Sequence, residues 1–358
     1  MYLDDAGSAP LLPEVRKILE GQSLWANPSS PHAEGRAARA TLDRARDTAA
    51  HAIGAKRTEV TFVSSGTEAV NLALFGVAGP LVTWAAEHQA VLGAARRMNA
   101  LGRDVAIARV DDAAVVDLDG IKPGTALVSV GLANNEVGTV QPVAEVIERA
   151  HDVGALVHVD ACAGPRWIPV PEGADLMSFS GHKLGAGRGG LLFVRDGVRI
   201  EPLLYGGPQE WGRRAGREDA ASALAVAVAL TTCAHEHERR SATAYSQSLA
   251  LNLVLRDVGG VPTGAEKRLP NVASCVFSDR KGEDLLLALD LAGIAVSSGS
   301  ACASGSLDPS HVLLAMGLSM EQALGSLRLT TGYATTDEEV VRAGQVLYSV
   351  LARAGTNA

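Results

Sequence analysis

Lysine is scarce in this chain: of its 32 lysines and arginines, six are lysine, so a lysine inside a patterned stretch is not background. The sequence lacks any apolar run near the ~18 residues that cross a membrane. Its opening Met1-Tyr2-Leu3-Asp4-Asp5 has neither the basic nor the apolar part of a secretory leader. The expectation is a cytoplasmic protein with no membrane partner. It also lacks a basic surplus. A net charge of −8 argues against direct contact with nucleic acid, which would want a basic face. Paired cysteines are missing as well. Cys162, Cys233, Cys275 and Cys302 lie far apart, with neither a disulfide framework nor a zinc-ribbon spacing, so no metal is expected.

What is present is ordinary for a globular protein: 47% hydrophobic and 20% charged residues over 358 positions, enough for two lobes or one large α/β domain. Short apolar runs at 60–63, 81–84, 105–107, 126–130, 155–159, 176–179 and 191–194 read as strands. Helical spacing occupies 13–19, 36–53, 89–100, 143–151 and 220–257. Strands of this kind alternating with helices predict a mainly parallel sheet covered on both faces, with its site at the carboxyl ends of the strands. The long helix 220–257 reads as a bridge into a second lobe. The expected division is a large domain over 13–245 and a smaller α+β domain built from 1–12 and 246–358.

Chemistry concentrates in a few motifs. Val157-His158-Val159-Asp160 is a β-branched run ending in a carboxylate, and Ser180-Gly181-His182-Lys183 follows a short way on. An amine for a Schiff base, a carboxylate for a pyridine nitrogen and small donors for a phosphate suggest a pyridoxal-phosphate site. Ser64-Ser65-Gly66-Thr67-Glu68 comes between a strand and a helix, where backbone N–H groups bind anions. Taken alone it is more simply a capping box; beside the lysine motif the phosphate reading prevails. Cys302 sits in Ser297-Ser298-Gly299-Ser300-Ala301-Cys302-Ala303-Ser304-Gly305-Ser306, whose small flanks favour an exposed, reactive thiol over a packed one. The other three cysteines read as structural. Gly185 to Gly190 fits GxGxxG by letter but precedes a strand instead of following one, so it reads as a turn behind the lysine. His235-Glu236-His237-Glu238 lacks metal spacing and reads as a solvated helix face.

These motifs, together with Glu87-His88-Gln89-Ala90-Val91, Asn134-Asn135-Glu136-Val137-Gly138 and Asp308-Pro309-Ser310-His311, occur in the order seen in cysteine desulfurases. The chain resembles the NifS and IscS group of that family, in the class V aminotransferase branch, over nearly its whole length. The resemblance implies a transferase of fold type I that uses pyridoxal 5'-phosphate, works as a homodimer and hands sulfur from L-cysteine to an acceptor protein. It implies roles for individual residues too. Lys183 would hold the cofactor and move protons at the substrate Cα. Asp160 would keep the pyridine nitrogen charged, and His88 would lie against the ring as an acid–base group. Gly66, Thr67, Ser180 and His182 would hold the phosphate. Asn135, Arg328 and Asn27 would face the substrate, Asn135 also reaching the cofactor and Arg328 clamping the carboxylate. Cys302 would take the sulfur as a persulfide.

Three positions depart from the family pattern. Ala163 stands where a glutamine usually contacts the cofactor's ring oxygen. Arg217 replaces a threonine that reaches the phosphate of the neighbouring subunit, which keeps it a candidate cofactor contact. Leu3-Asp4-Asp5-Ala6-Gly7-Ser8-Ala9-Pro10 replaces the usual opening near the substrate. Two other readings therefore stay open. One is a lyase or aminotransferase of the same fold acting on selenocysteine or another sulfur-containing amino acid; the other is a catalytically quiet sulfur-relay subunit. The acceptor is not legible: iron–sulfur clusters, tRNA, DNA and natural products all draw on the same donor chemistry.

Overall fold

The computed structural model describes residues 1–21, 25–299 and 308–354. Helices α1 (Pro13–Gly21) and α2 (Ala33–Ala52) precede β1 (Val60–Val63), α3 (Gly66–Gly76), β2 (Leu81–Trp84), α4 (Gln89–Ala100) and β3 (Val105–Ala108). The alternation continues through β4 (Leu127–Gly131), α5 (Val143–Asp152), β5 (Leu156–Asp160), β6 (Leu176–Ser180), the one-turn α6 (Gly181–Leu184) and β7 (Gly190–Val194). Each of these strands begins and ends within one residue of its expected place.

The strands form one sheet in the order β1-β7-β6-β5-β4-β2-β3. Every residue of β1, β2, β4, β6 and β7 is buried, which is why they carry no charged residue and do not alternate apolar with charged positions. Pairing is parallel from β6 to β3, whereas β7 runs antiparallel to both β6 and β1. Chain length explains the exception. Too little chain separates Ser180 from Gly190 for a parallel crossover, which needs about a dozen residues or more. Here α6 ends instead on Gly185 in the left-handed region, at φ 85°. A Cβ there would meet Leu12 Cγ at 2.9 Å and the Pro10 carbonyl at 3.0 Å. The turn behind Lys183 is thereby pressed against the N-terminal arm, whose Ala9 and Leu12 N–H groups donate to the carbonyls of His182 and Gly185.

α7 (Ala220–Asp257) spans ~57 Å at 1.5 Å per residue. Its first turns bury Ala223, Val226, Leu230 and Cys233 in the large core beside α2. Its last turns bury Leu251 and Leu255 in a different cluster with Leu3, Phe277, Leu289 and Leu329. That second core lies on β8 (Val261–Pro262), β9 (Val272–Val276) and β10 (Ser326–Thr330), an antiparallel sheet in the order β10-β9-β8. α8 (Gly282–Leu291), the short α9 (His311–Ala315) and α10 (Met320–Leu324), and α11 (Asp337–Ala354) complete it. The N-terminal arm is stitched into this lobe: Leu3 N–H donates to Ala295 O, and Thr330 N–H donates to Leu3 O. Asp4 is thus carried to the end of β10, beside the carboxyl edge of the large sheet. Among the described residues no helix is long and apolar enough to cross a membrane.

Candidate active site

The carboxyl ends of β1, β2, β4, β5 and β6 converge on a cavity of about 240 Å³. β5 delivers Asp160 and β4 ends at Gly131. β2 is followed by Glu87 and His88, and β6 leads through Ser180 into α6 with His182 and Lys183. β1 leads into α3, whose N-cap Ser65 accepts from Glu68 N–H and whose first residues, Gly66 and Thr67, line the cavity. The opening amides of a helix have no intrahelical acceptor, so this end is a ready anion site. The packing around it is tight. A Cβ on Gly66 would sit 2.5 Å from Cys162 Sγ and 2.8 Å from Ser180 Cβ. From the small lobe, Arg328 on β10 reaches the same cavity.

Hydrogen bonds fix these side chains. Asp160 is buried, and its Oδ1 accepts the Cys162 N–H at 3.0 Å. His88 caps α4, its Nδ1 accepting from Ala90 N–H at 3.1 Å. Burial and the nearby Lys183 hold the His88 imidazole below its usual range, so it is neutral at pH 7 and its remaining N–H is free to act on a ligand. Ser180 Oγ lies 2.9 Å from His182 Nδ1, and burial with Lys183 also lowers His182. Arg328 Nη1 donates to the Asn135 carbonyl at 2.8 Å and Nη2 donates to Asp4 Oδ1 at 2.7 Å. Its Nε is buried without a partner, an unspent donor on a cavity-lining arginine.

Behind this set stand groups that the sequence reading did not single out. Glu87 is buried, and burial pushes its carboxyl up to about 8, with Asp160 adding to the shift against a hydrogen bond from Gly131 N–H. His158 lies between Ser129 Oγ at 2.9 Å and Ser178 Oγ at 2.7 Å, and full burial drives it down to about 4. His311 Nε2 donates to the Glu87 carbonyl at 2.8 Å while Gln89 Nε2 reaches its Nδ1 at 3.0 Å. Glu136, raised by burial, accepts from Ser310 Oγ at 2.5 Å. Glu87, Glu136 and His311 all fall within motifs already marked, so adjacency was the available signal. The buried His158 lies within the Val157 to Asp160 motif and Asp4 within the departing opening stretch, so adjacency was their signal too.

The expected residues Lys183, His88, Gly66, Thr67, Asn135, Asp160, Ser180, His182 and Arg328 all line this one cavity. Two do not join it within the single chain. Arg217 is exposed and donates to the Trp25 carbonyl at 2.9 Å. Asn27 Oδ1 accepts from Ser29 N–H at 2.9 Å in a local turn of its own loop. Cys302 lies outside the described residues. Cys162 was read as structural, yet it lines the cavity, its thiol raised well above the usual range by burial and then by Asp160. Cys233 and Cys275 are buried in the cores, their thiols pushed up to about 12 by burial. In the His235 to Glu238 stretch, Glu236 accepts from Arg240 Nε at 3.1 Å on the surface of α7.

The donor set fits pyridoxal phosphate. A buried carboxylate, an amine, a neutral imidazole, and a helix N-terminus with hydroxyl and imidazole donors surround one cavity, which Arg328 also lines from β10. Comparison with known proteins agrees. The aminotransferase class-V family model matches residues 1–342. Cysteine desulfurase IscS of Dictyoglomus turgidum is 36% identical over 376 aligned residues, covering 99% of this chain and 95% of its own. Among solved structures, a NifS-like protein superposes with a TM-score of 0.91 at 30% identity, covering 99% of each chain. A structure described as SspA in complex with cysteine gives a TM-score of 0.80 at 28% identity, over 92% of this chain and 98% of that one.

Proposed function

The chain belongs to the class V aminotransferase family and is a pyridoxal-phosphate-dependent cysteine desulfurase, converting L-cysteine to L-alanine; from that premise we propose how its own residues divide the work. The bound cofactor supplies an electron sink that makes the substrate Cα proton acidic and labilises the bond to sulfur. Lys183 holds the cofactor and carries the Cα proton. Asp160 keeps the ring nitrogen cationic, and Gly66, Thr67, Ser180 and His182 hold the phosphate. Neutral His88 is the acid–base group at the ring, and Asn135 contacts both ring and substrate. Arg328 receives the substrate carboxylate. The Cys302 thiolate takes the sulfur atom, becoming a persulfide, and passes it to an acceptor protein.

The observation that carries this reading is the meeting of Lys183, Asp160, His88 and Arg328 in one cavity, although Arg328 comes from the other lobe. The residues that precede the Cys302 segment in sequence support it. Arg328 and Ser297 exchange both backbone hydrogen bonds, and Gly299 N–H donates to Ser326 Oγ, so the stretch entering that segment is fastened beside the carboxylate-binding arginine.

The homodimer is part of the proposal. Trp25 and Tyr205 are 67% and 80% exposed, and Leu204 and Trp211 also face outward. Arg217 holds the Trp25 carbonyl on this exposed surface, from where a second copy would bring a phosphate site within its reach. The proposed compartment is the cytoplasm. The proposed domain division near residue 245 is supported by α7, which buries no residue between Cys233 and Ala244.

The test is the intact mass of the cofactor-loaded protein after brief exposure to L-cysteine, beside Cys302→Ala and with free alanine quantified. One added sulfur on the parent protein alone, matched by alanine, is expected. Alanine formed equally by Cys302→Ala would replace the persulfide with direct expulsion of sulfide. Lys183→Ala should lose both cofactor colour and turnover; retention of both would sink the assignment.

A further inference from the structure

Beside Lys183 the active-site cavity adjoins a second, smaller space of about 30 Å³. Asp5, Ala163, Arg166, Asn271 and Lys183 line it, and Ala163 and Lys183 belong to the walls of both spaces. One water molecule needs roughly 10–15 Å³ of such volume, so the annex suits about two.

Its walls are chemically unfinished. Asp5 Oδ1, Arg166 Nε and Asn271 Oδ1 each lack a hydrogen-bond partner. These residues are 3%, 3% and 2% exposed, so bulk solvent does not serve them. Another atom of each side chain is already engaged. Arg166 Nη1 donates to Asp5 Oδ2, and Asn271 Nδ2 donates to the Thr331 carbonyl at 3.0 Å. Thr331, whose N–H returns a bond to the Asn271 carbonyl, carries a further buried unpartnered atom, its Oγ1. Folded proteins rarely leave several such groups together unless water completes them. An ion suits the place less well, because the Asp5 charge is already matched by Arg166. Burial pushes the Asp5 carboxyl up against the pull of Arg166, a desolvation that a bound water relieves. Ala163 keeps the space open; a longer side chain there would enter one of the two cavities that it lines.

We propose that this annex is a structural water site whose molecules complete Asp5, Arg166 and Asn271 and exchange protons with Lys183. A proton taken up by Lys183 Nζ passes to a water, which returns one of its own, so charge is conserved while the isotope on nitrogen becomes that of solvent. The exchange rests on the reading of Lys183 as carrier of the Cα proton; the water site does not.

The test combines a crystal structure showing ordered water with the deuterium recovered in alanine from Cα-deuterated L-cysteine, for the parent protein and Ala163→Val. Expected are one or two waters within hydrogen-bonding distance of Asp5, Arg166 and Asn271, fewer in the variant, and several-fold more retained deuterium in the variant's alanine. A dry annex, or side chains rearranged to pair with one another, overturns the site. Waters in place with equal retention in both proteins overturn the exchange. Waters in place with no alanine from either protein support the site and overturn the desulfurase reading on which the exchange rests. If Ala163→Val does not fold, Ala163→Ser, which sets a hydroxyl where a water would lie, serves the same comparison.

Discussion

Asp4 Oδ1 accepts a hydrogen bond from Arg328 Nη2 at 2.7 Å across 324 residues of sequence, so the arginine assigned to the substrate carboxylate already holds a carboxylate of its own chain. With Nη1 on the Asn135 carbonyl, the guanidinium is fixed in one plane and Nε is left over. Asp4 thus orients the fork and also competes for it. Asp4→Ala should raise the KM for L-cysteine about tenfold, ~1.4 kcal/mol of binding. Asp4→Asn keeps an acceptor without the charge and should stay within about twofold. Steady-state kinetics decides; equal changes in the two variants would rule out the orienting role.

Glu87 gives stability a dependence at the alkaline side. Its folded carboxyl titrates at about 8 against 4.5 as the ordinary value. Between those limits the folded state keeps a proton that the unfolded chain releases, so stability is intact below pH 4.5 and lost as pH rises to 8. Glu87→Gln is neutral at every pH and keeps an oxygen for Gly131 N–H. Its advantage over the parent protein should grow from near zero at pH 4.5 to a few kcal/mol, at ~1.4 kcal/mol per unit, by pH 8. Denaturant unfolding at the two pH values measures it, and a pH-independent difference would contradict it.

His158 acts in the opposite direction. Its folded value of about 4 lies below the ordinary 6.5, so the unfolded chain takes up a proton that the fold refuses. The stability involved is present above pH 6.5 and lost as pH falls to 4, about 3 kcal/mol in all. His158→Gln cannot titrate, and its stability should fall less over that interval than the parent protein's. Parallel losses in both proteins would show that other groups dominate acid unfolding.

At the phosphate end the prediction is steric. Gly66→Ala places a methyl group against Cys162 Sγ and Ser180 Cβ, displacing the start of α3. Cofactor retention through gel filtration should drop at least tenfold. Adding Cys162→Ala removes the closer obstacle and should restore part of it. Full retention by Gly66→Ala alone would mean that the α3 amides do not set the phosphate site.

Much of the fold was legible because its signals are local. Buried strands of four or five residues announce themselves as apolar runs, and helix 220–257 is continuous in sequence as in space. The direction of β7 was not marked in its composition, yet the short chain from Ser180 to Gly190 dictates it. The site was legible through residues whose chemistry is rare in its setting: one lysine among six, a carboxylate ending a β-branched run, a glycine opening a helix.

The sequence by itself therefore determined the order and type of the elements that build the large sheet, though not the strands and helices after residue 257, and the motif residues that line the cavity. Only the tertiary structure decided what stands behind them. Asp4 meets Arg328 because the N-terminal arm adds onto β10. Burial behind the strand ends raises the Glu87 carboxyl, and full burial between serines of neighbouring strands lowers His158. Arg217 and Asn27, which by motif position belonged with the site, lie elsewhere in the single chain. The reason is physical. Propensity and hydrophobic period act over a few residues, whereas burial, desolvation and ion pairing depend on which distant segments the folded chain brings together.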